Sequence, residues 1–399
     1  MHPLFSDPGS SDVAQLLAGL SEQKVEYDPG LSAVFVYGYD EVRALLTSPS
    51  LQNARLRDPL AGATEEQRAL HGPIRAFFGR WPVFSDGDHH TRLRRLLMPP
   101  LRAAAVEEVL AALRLHCGEL LHELATRPGI DFVTDFAVPH VHHALGLMLG
   151  VTTAELGELV EPAGRLMDYL ATPKVSENAE VGHAARSSLG TFTEAVRRTL
   201  LRTPRSPLTR ALAEVDGELG LDAAVAAAAQ IITGTIDPTT TALTDAVLHW
   251  AALDPAESST VEADRFTAES LRLSCPFIFA PRSATEKMQI GYVTAEWDTK
   301  VMLVLAAANL DATRYDGPAA LRIDGRDTPS LTFGLGEHYC LGAPLARGMI
   351  AALVETLRAG EVRLEVDAGT LRRRGAVHGT ARALSARITT GTSAREAGR

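Results

Sequence analysis

The chain has 399 residues, 46% of them hydrophobic, and its 39 basic and 49 acidic side chains give a formal charge of −10. A net acidic chain is a poor general binder of nucleic acid, so the charge is read as serving dispersion in water. Three widely spaced cysteines, Cys117, Cys275 and Cys340, argue against a disulfide framework, and no C-x-x-C pair suggests a zinc ribbon.

The first residues, MHPLFSDPGSSD, lack the basic segment and apolar run of a signal peptide, and no apolar stretch is long enough to span a bilayer. A cytoplasmic protein without membrane association is expected. Residues 12–23 have the apolar spacing of an amphipathic helix, and 24–38 read as two strands about a DPG turn. A helix is expected over 39–49, with Asp40 as its N-cap. Residues 50–87 read as irregular, with Phe77, Phe78, Trp81 and Phe84 clustered in them. A helix opens at DHHTRLRRLL, and the spacing stays helical over about 101–255, interrupted by a loop at RTPRSP. Strands are expected near 288–293, near 300–307 and towards the C-terminus. The sum is a mainly α chain with a minor β region, one domain over 1–399 with 1–25 as a lead-in and first helix.

Within the long apolar run 221–253 lies GTIDPTTTAL, residues 234–243. A proline inside a helix removes a hydrogen bond and clashes with the carbonyl four residues back, so a kink is predicted there. Asp followed by Pro is also a helix-start signature. Asp237 would then cap the second half by accepting from the amide of Thr239 or Thr240.

The segment FGLGEHYCLGAPLAR, residues 333–347, sets a cysteine in a glycine-rich loop before a helical run. Amide groups of a tight loop and a helix N-terminus favour a thiolate, and glycines allow a flat ligand to approach the backbone. A buried structural cysteine is the plain alternative. A dinucleotide loop fails because no third glycine falls where G-x-G-x-x-G needs it.

The segment resembles the haem-binding loop F-G-x-G-x-H-x-C-x-G of the cytochrome P-450 superfamily, with Phe333, Gly334, Gly336, His338, Cys340 and Gly342 in its fixed places. ESLR (269–272) is similar to the family's E-x-x-R, sited about seventy residues before the cysteine. HTRLRRLL (90–97) resembles the helix whose His and Arg meet the haem propionates, and PRSATEKMQIGYV (281–293) and LAAANLDA (305–312) resemble the following segments. The resemblance runs in order from about residue 32 to the C-terminus. It implies the P-450 fold and haem b, with Cys340 as the axial thiolate ligand of its iron. It also implies propionate partners His90, Arg94, Arg282 and His338, and a structural brace of Glu269 with Arg272. Haem propionates are anions in an apolar cavity and need such cationic or donating partners.

The implied activity is that of an oxidoreductase. It would act as a monooxygenase on a small organic molecule, with dioxygen and electrons from a separate ferredoxin and ferredoxin reductase. Family analogy adds natural-product biosynthesis as the context and a monomer as the expected state.

Two departures stand out. An ungapped match to the family's [A/G]-G-x-[D/E]-T-[T/S] puts Gly234 and Thr235 at the small positions and Asp237 at the acid. Pro238 then replaces the first threonine, and Thr239 is second. Proton delivery to dioxygen would then fall to Asp237, to Thr239 or Thr235, or to the substrate. Oxidative coupling, nitration and peroxide-driven oxidation become alternatives, as does a non-catalytic partner protein. Ala320 stands where an arginine or histidine usually braces the Glu–Arg pair, with Arg322 or Arg314 as possible compensation.

Pocket candidates are Phe77, Phe78, Trp81 and Phe84, weighed evenly against a core role, with Thr233, Gly234, Phe277, Ile278 and Phe279. His140, His142 and His143 are expected on a partly exposed helix face rather than on a metal. Arg92, Arg95 and Arg102 offer a basic patch for a ferredoxin, and LRRR (371–374) a solvated face.

Overall fold

The computed structural model describes residues 4, 13–53, 60–172, 175–323, 329–374 and 379–390. Most of the expected lead-in before residue 13 lies outside them. The chain divides into two compact units. One comprises Met1–Leu51, Glu107–Val141 and Asp237–Arg399, and the other Gln52–Val106 and His142–Ile236.

The first unit holds the mixed sheet. Its strands follow the order Val25–Asp28, Ala33–Val36, Lys300–Leu303, Ala280–Ala284 and Leu51–Gln52. Val25–Asp28 and Ala33–Val36 form the expected antiparallel hairpin about the DPG turn. Ala33–Val36 then pairs in parallel with Lys300–Leu303, Ala33 opposite Lys300 and Val36 opposite Leu303. All four residues of Ala33–Val36 are buried, as befits an inner strand in a parallel pairing. Leu17 and Leu20 of the helix Val13–Gln23 and Val42 of the helix Tyr39–Leu45 share its core cluster. The strand at 300 stops at Leu303, and Leu305–Ala308 turns helical where 300–307 reads as one strand.

The helix expected over 39–49 closes at Leu45, and Asp40 does not cap it. Gly38 is the N-cap and gives no side-chain bond, while Asp40 lies in the first turn and pairs with Arg314. The capping work falls to Asp311, whose carboxylate accepts from the Tyr39 amide at 2.9 Å and from Lys24 Nζ at 2.7 Å. Burial alone would push the Asp311 carboxyl up. Lys24, the Tyr39 amide and the hydroxyl and amide of Thr313 outweigh it and bring it down to about 2. A depressed carboxyl contributes stability above its unfolded value near 4, and that stability is lost as pH falls towards 2. The expected result is that Asp311→Asn costs about 2 kcal/mol at neutral pH and flattens the acid limb below about pH 4. Denaturant unfolding from pH 7 to 2.5 checks this; parallel curves for the two proteins would refute it.

His140 is buried rather than on the expected partly exposed face. Its ring stacks on His116 and on Phe136, with Nδ1 2.9 Å from His116 Nδ1. Among the described residues no group of three or more metal-ligating side chains comes together, and no helix is long and apolar enough to cross a membrane.

The second unit is helical, built on Glu65–Gly79, Gly87–Leu97, Thr153–Ala171, Ala179–Val196 and Pro207–Leu219. The helix Glu65–Gly79 corrects the irregular reading of 50–87. Thr64 accepts from the Gln67 amide and Gln67 returns a bond to the Thr64 amide, a capping box written as T-E-E-Q. The Gly72–Pro73 pair obscures that signal in the sequence, although Pro73 is accommodated inside the helix.

The helix Leu221–Ala251 runs unbroken through Pro238. Asp237 therefore caps no second segment. Its backbone carbonyl accepts from the Thr241 hydroxyl at 2.9 Å, and its carboxylate faces Arg382 at 3.5 Å.

Candidate active site

The cysteine loop is fixed by backbone geometry. Gly334 and Gly336 adopt φ of 67° and 69°, the left-handed region that only glycine enters without strain. Gly336 is constrained by space as well, since a Cβ there would meet Thr47 Cγ2 at 3.0 Å. These turns allow the Cys340 amide to donate to the Phe333 carbonyl at 2.9 Å, closing the loop. Arg347 lies over the Phe333 ring at 4.8 Å. The helix Ala343–Arg358 begins three residues after the cysteine, with Gly342 as its N-cap. Its amino end favours negative charge on sulfur. Cys117 and Cys275 are buried and burial pushes both thiols up to about 12, whereas Cys340 is exposed. An exposed thiol in a rigid, glycine-lined loop at a helix N-terminus fits a thiolate that ligates a haem. The inert buried-cysteine alternative is thereby disfavoured for Cys340.

Behind the loop stands Arg272, 2% exposed in its side chain. Its Nε and Nη2 hold Glu269 at 2.9 and 2.6 Å. Nη1 donates to the carbonyls of Asn309 and Pro318, and Nη2 also to that of Ala320. Carbonyls thus take the place of the missing third side chain. Of the two arginines offered as compensation, Arg322 contributes its amide, which donates to Glu269 at 3.1 Å, and Arg314 pairs instead with Asp40. The Tyr315 ring covers the guanidinium at 4.7 Å. Asn309 carries the brace forward. Its side chain donates to the Thr332 hydroxyl and accepts from the Leu331 amide, directly before Phe333.

Arg282 is buried on the strand Ala280–Ala284, opposite Val301. Phe277, Ile278 and Phe279 lead into that strand. Phe277 is 59% exposed, and Ile278 accepts from the Ala306 amide. His338 is half-buried in the turn Gly336–His338.

The long helix is buried over 223–229 and 239–247 but open over 230–238, Ile232 excepted. The middle of the helix is thus less buried than the stretches on either side of it. A Cβ added to Gly234 would meet nothing within 4 Å. Of the hydroxyls nearby, Thr233 and Thr235 are committed to the carbonyls of Ala229 and Ile231. The Thr239 side chain, 6% exposed, makes no hydrogen bond among the described residues.

In the second unit His90 and Arg94 lie one turn apart on Gly87–Leu97, His90 buried and Arg94 half-buried. Phe77, Phe78 and Trp81 form a buried aromatic cluster with Tyr169, while Phe84 stacks on Trp81 and stays half-buried. The Val83 amide donates to Gln230 Oε1 at 2.9 Å, fastening this turn to the open stretch of the long helix. Arg92 and Arg95 are turned to Glu218, which weakens the basic-patch reading.

No family model matches the chain. It is 25% identical over 338 residues to cytochrome P-450 109 of Bacillus spizizenii, covering 82% of this chain and 78% of that protein. It is 26% identical to the 6-deoxyerythronolide B hydroxylase of Saccharopolyspora erythraea, covering 80% of each. The structure of the tirandamycin C-bound P-450 monooxygenase TamI superposes with a TM-score of 0.75 at 27% identity, over 94% of this chain and 97% of that one. With the cysteine loop and the Glu–Arg brace in place, these likenesses identify the chain as a member of the cytochrome P-450 superfamily of haem-thiolate monooxygenases.

Proposed function

We propose that Cys340 ligates the iron of haem b. Phe333, Gly334 and Gly342 shape the loop around it, and His90, Arg94, Arg282 and His338 serve the propionates. The observation that carries this reading is the exposed Cys340 in its closed glycine loop. When bound, the haem would supply one-electron and dioxygen chemistry, its thiolate favouring O–O cleavage. The substrate is a small organic molecule of a natural-product pathway, a reading supported by the names of the hydroxylase and of the tirandamycin-bound relative. Electrons come from a separate ferredoxin and its reductase in the cytoplasm. The reduced protein under carbon monoxide is expected to show the absorption band typical of thiolate ligation, and Cys340→Ala to lose it. Survival of the band in the variant would overturn the ligand assignment.

Protons must reach the open stretch of the long helix, and Pro238 has neither an amide N–H nor a hydroxyl to give. Asp237 offers a carboxylate there, positioned by Arg382, and Thr239 offers a hydroxyl not engaged elsewhere. We assign Asp237 to proton delivery, with Thr239 and the substrate's own groups as carriers. Asp237→Asn is expected to lower product formed per electron by at least about tenfold and to raise release of hydrogen peroxide. Unchanged coupling would remove Asp237 from the path. A second reading, a peroxide-driven or ring-coupling oxidase, is favoured by Pro238 itself. Comparable rates with hydrogen peroxide and with a ferredoxin system would support it.

A further inference from the structure

We propose that Arg75, with Tyr169 and His71 beside it, forms an anion subsite that receives a carboxylate of the substrate. This rests on the reading of the chain as an oxidase of a small organic molecule.

Arg75 lies on the helix Glu65–Gly79, its guanidinium carbon 5.6 Å from the centre of the Tyr169 ring. Its Nε is wholly buried and makes no hydrogen bond, and no carboxylate among the described residues pairs with it. His71, 1% exposed, sits with Nδ1 3.1 Å from the Tyr169 hydroxyl. Burial, then Arg75, then His183 hold the imidazole below its ordinary value, and in neither form does it bring negative charge to Arg75. Trp81, 4% exposed, has its Nε1 buried without a partner. Its ring lies 5.1 Å from that of Phe78, which stacks on Tyr169 at 6.0 Å.

The cluster thus holds two buried N–H groups without a hydrogen-bond partner, Arg75 Nε and Trp81 Nε1, while the half-buried guanidinium also interacts with the Tyr169 hydroxyl. Buried N–H groups without a partner are costly and rare in folded proteins. A carboxylate satisfies the planar guanidinium fork better than any neutral group. The cluster is held in place, because a Cβ on Gly182 would meet His71 Cε1 at 2.6 Å and the helix Ala179–Val196 packs against it without slack. Through Val83 and Gln230 the same segment is tied to the open stretch of the long helix. The substrate class that follows is an organic acid with an apolar or aromatic body.

The test is calorimetric titration of the purified full chain with 4-phenylbutyrate and with its neutral amide. The acid is expected to bind at least roughly tenfold more tightly than the amide, the worth of a charge-assisted bond. Arg75→Gln should remove that preference while leaving the amide's affinity within about twofold, and Arg75→Lys should keep part of it. Equal affinities in the unmodified protein, failure of the acid to bind at all, or equal weakening of both probes by the substitutions would overturn the subsite. The carbon monoxide band of the same preparation is read separately. Its absence would overturn the haem reading without touching the comparison of acid with amide.

Discussion

Arg272→Lys is expected to cost roughly as much as Arg272→Ala, about 3–5 kcal/mol, and to leave the purified protein largely without haem. The reason is an exact use of donors. Five N–H groups of Arg272 meet two oxygens of Glu269 and the carbonyls of Asn309, Pro318 and Ala320. An ammonium has three donors and no planar fork, so two acceptors lose their partner even where charge is kept. Glu269 is only 16% exposed and has the Arg322 amide as its other partner, so water compensates little. The effect passes to the cysteine loop through Asn309, which accepts from Leu331 and donates to Thr332. Haem content per chain and the denaturant midpoint check this. A lysine variant with normal midpoint and full haem content would show that the carbonyl contacts carry no weight.

The Arg272 site also shows what the sequence could convey. The Glu–Arg pair is legible because both partners have letters and a helical spacing. The substitute for the absent third side chain is three carbonyls and the Tyr315 ring, and carbonyls have no letter. The cysteine loop is legible for the opposite reason: its glycines are required by φ and its thiol by chemistry, so the constraint is written in residue types. The helix Glu65–Gly79 was hidden by Gly72–Pro73, yet its T-E-E-Q capping box was available as a signal. Contacts across long separations were not legible at all. Arg382 meets Asp237, and His71 meets Tyr169, only because the fold brings distant segments together.

Arg373→Ala is expected to destabilise the protein by about 3 kcal/mol and, if Asp237 delivers protons as proposed, to reduce coupling of electrons to product in the same direction as Asp237→Asn. Three residues of the long helix, Asp237, Thr241 and Asp245, stand four apart and face the C-terminal hairpin of Arg372–Arg374 and Thr380–Ala383. Asp237 meets Arg382, Thr241 accepts from the Ala381 amide at 3.1 Å, and Asp245 pairs with Arg373. Asp245 is the buried member, with its side chain 5% exposed, and it also accepts from the Ser274 hydroxyl at 2.6 Å. Without Arg373 a buried carboxylate keeps its desolvation cost and loses this counter-charge. Adding Asp245→Asn to Arg373→Ala should therefore recover part of the loss, because the amide has no charge to strand. Urea midpoints of the two single variants and the double variant measure that interaction. Simple additivity would mean that the pair is not coupled. The coupling readout follows from the same stripe. Arg373 also holds the Gly379 carbonyl at 3.2 Å, so freeing it loosens the strand that carries Arg382. The Asp237 carboxylate then loses the group that positions it, although nothing near the cysteine has been altered.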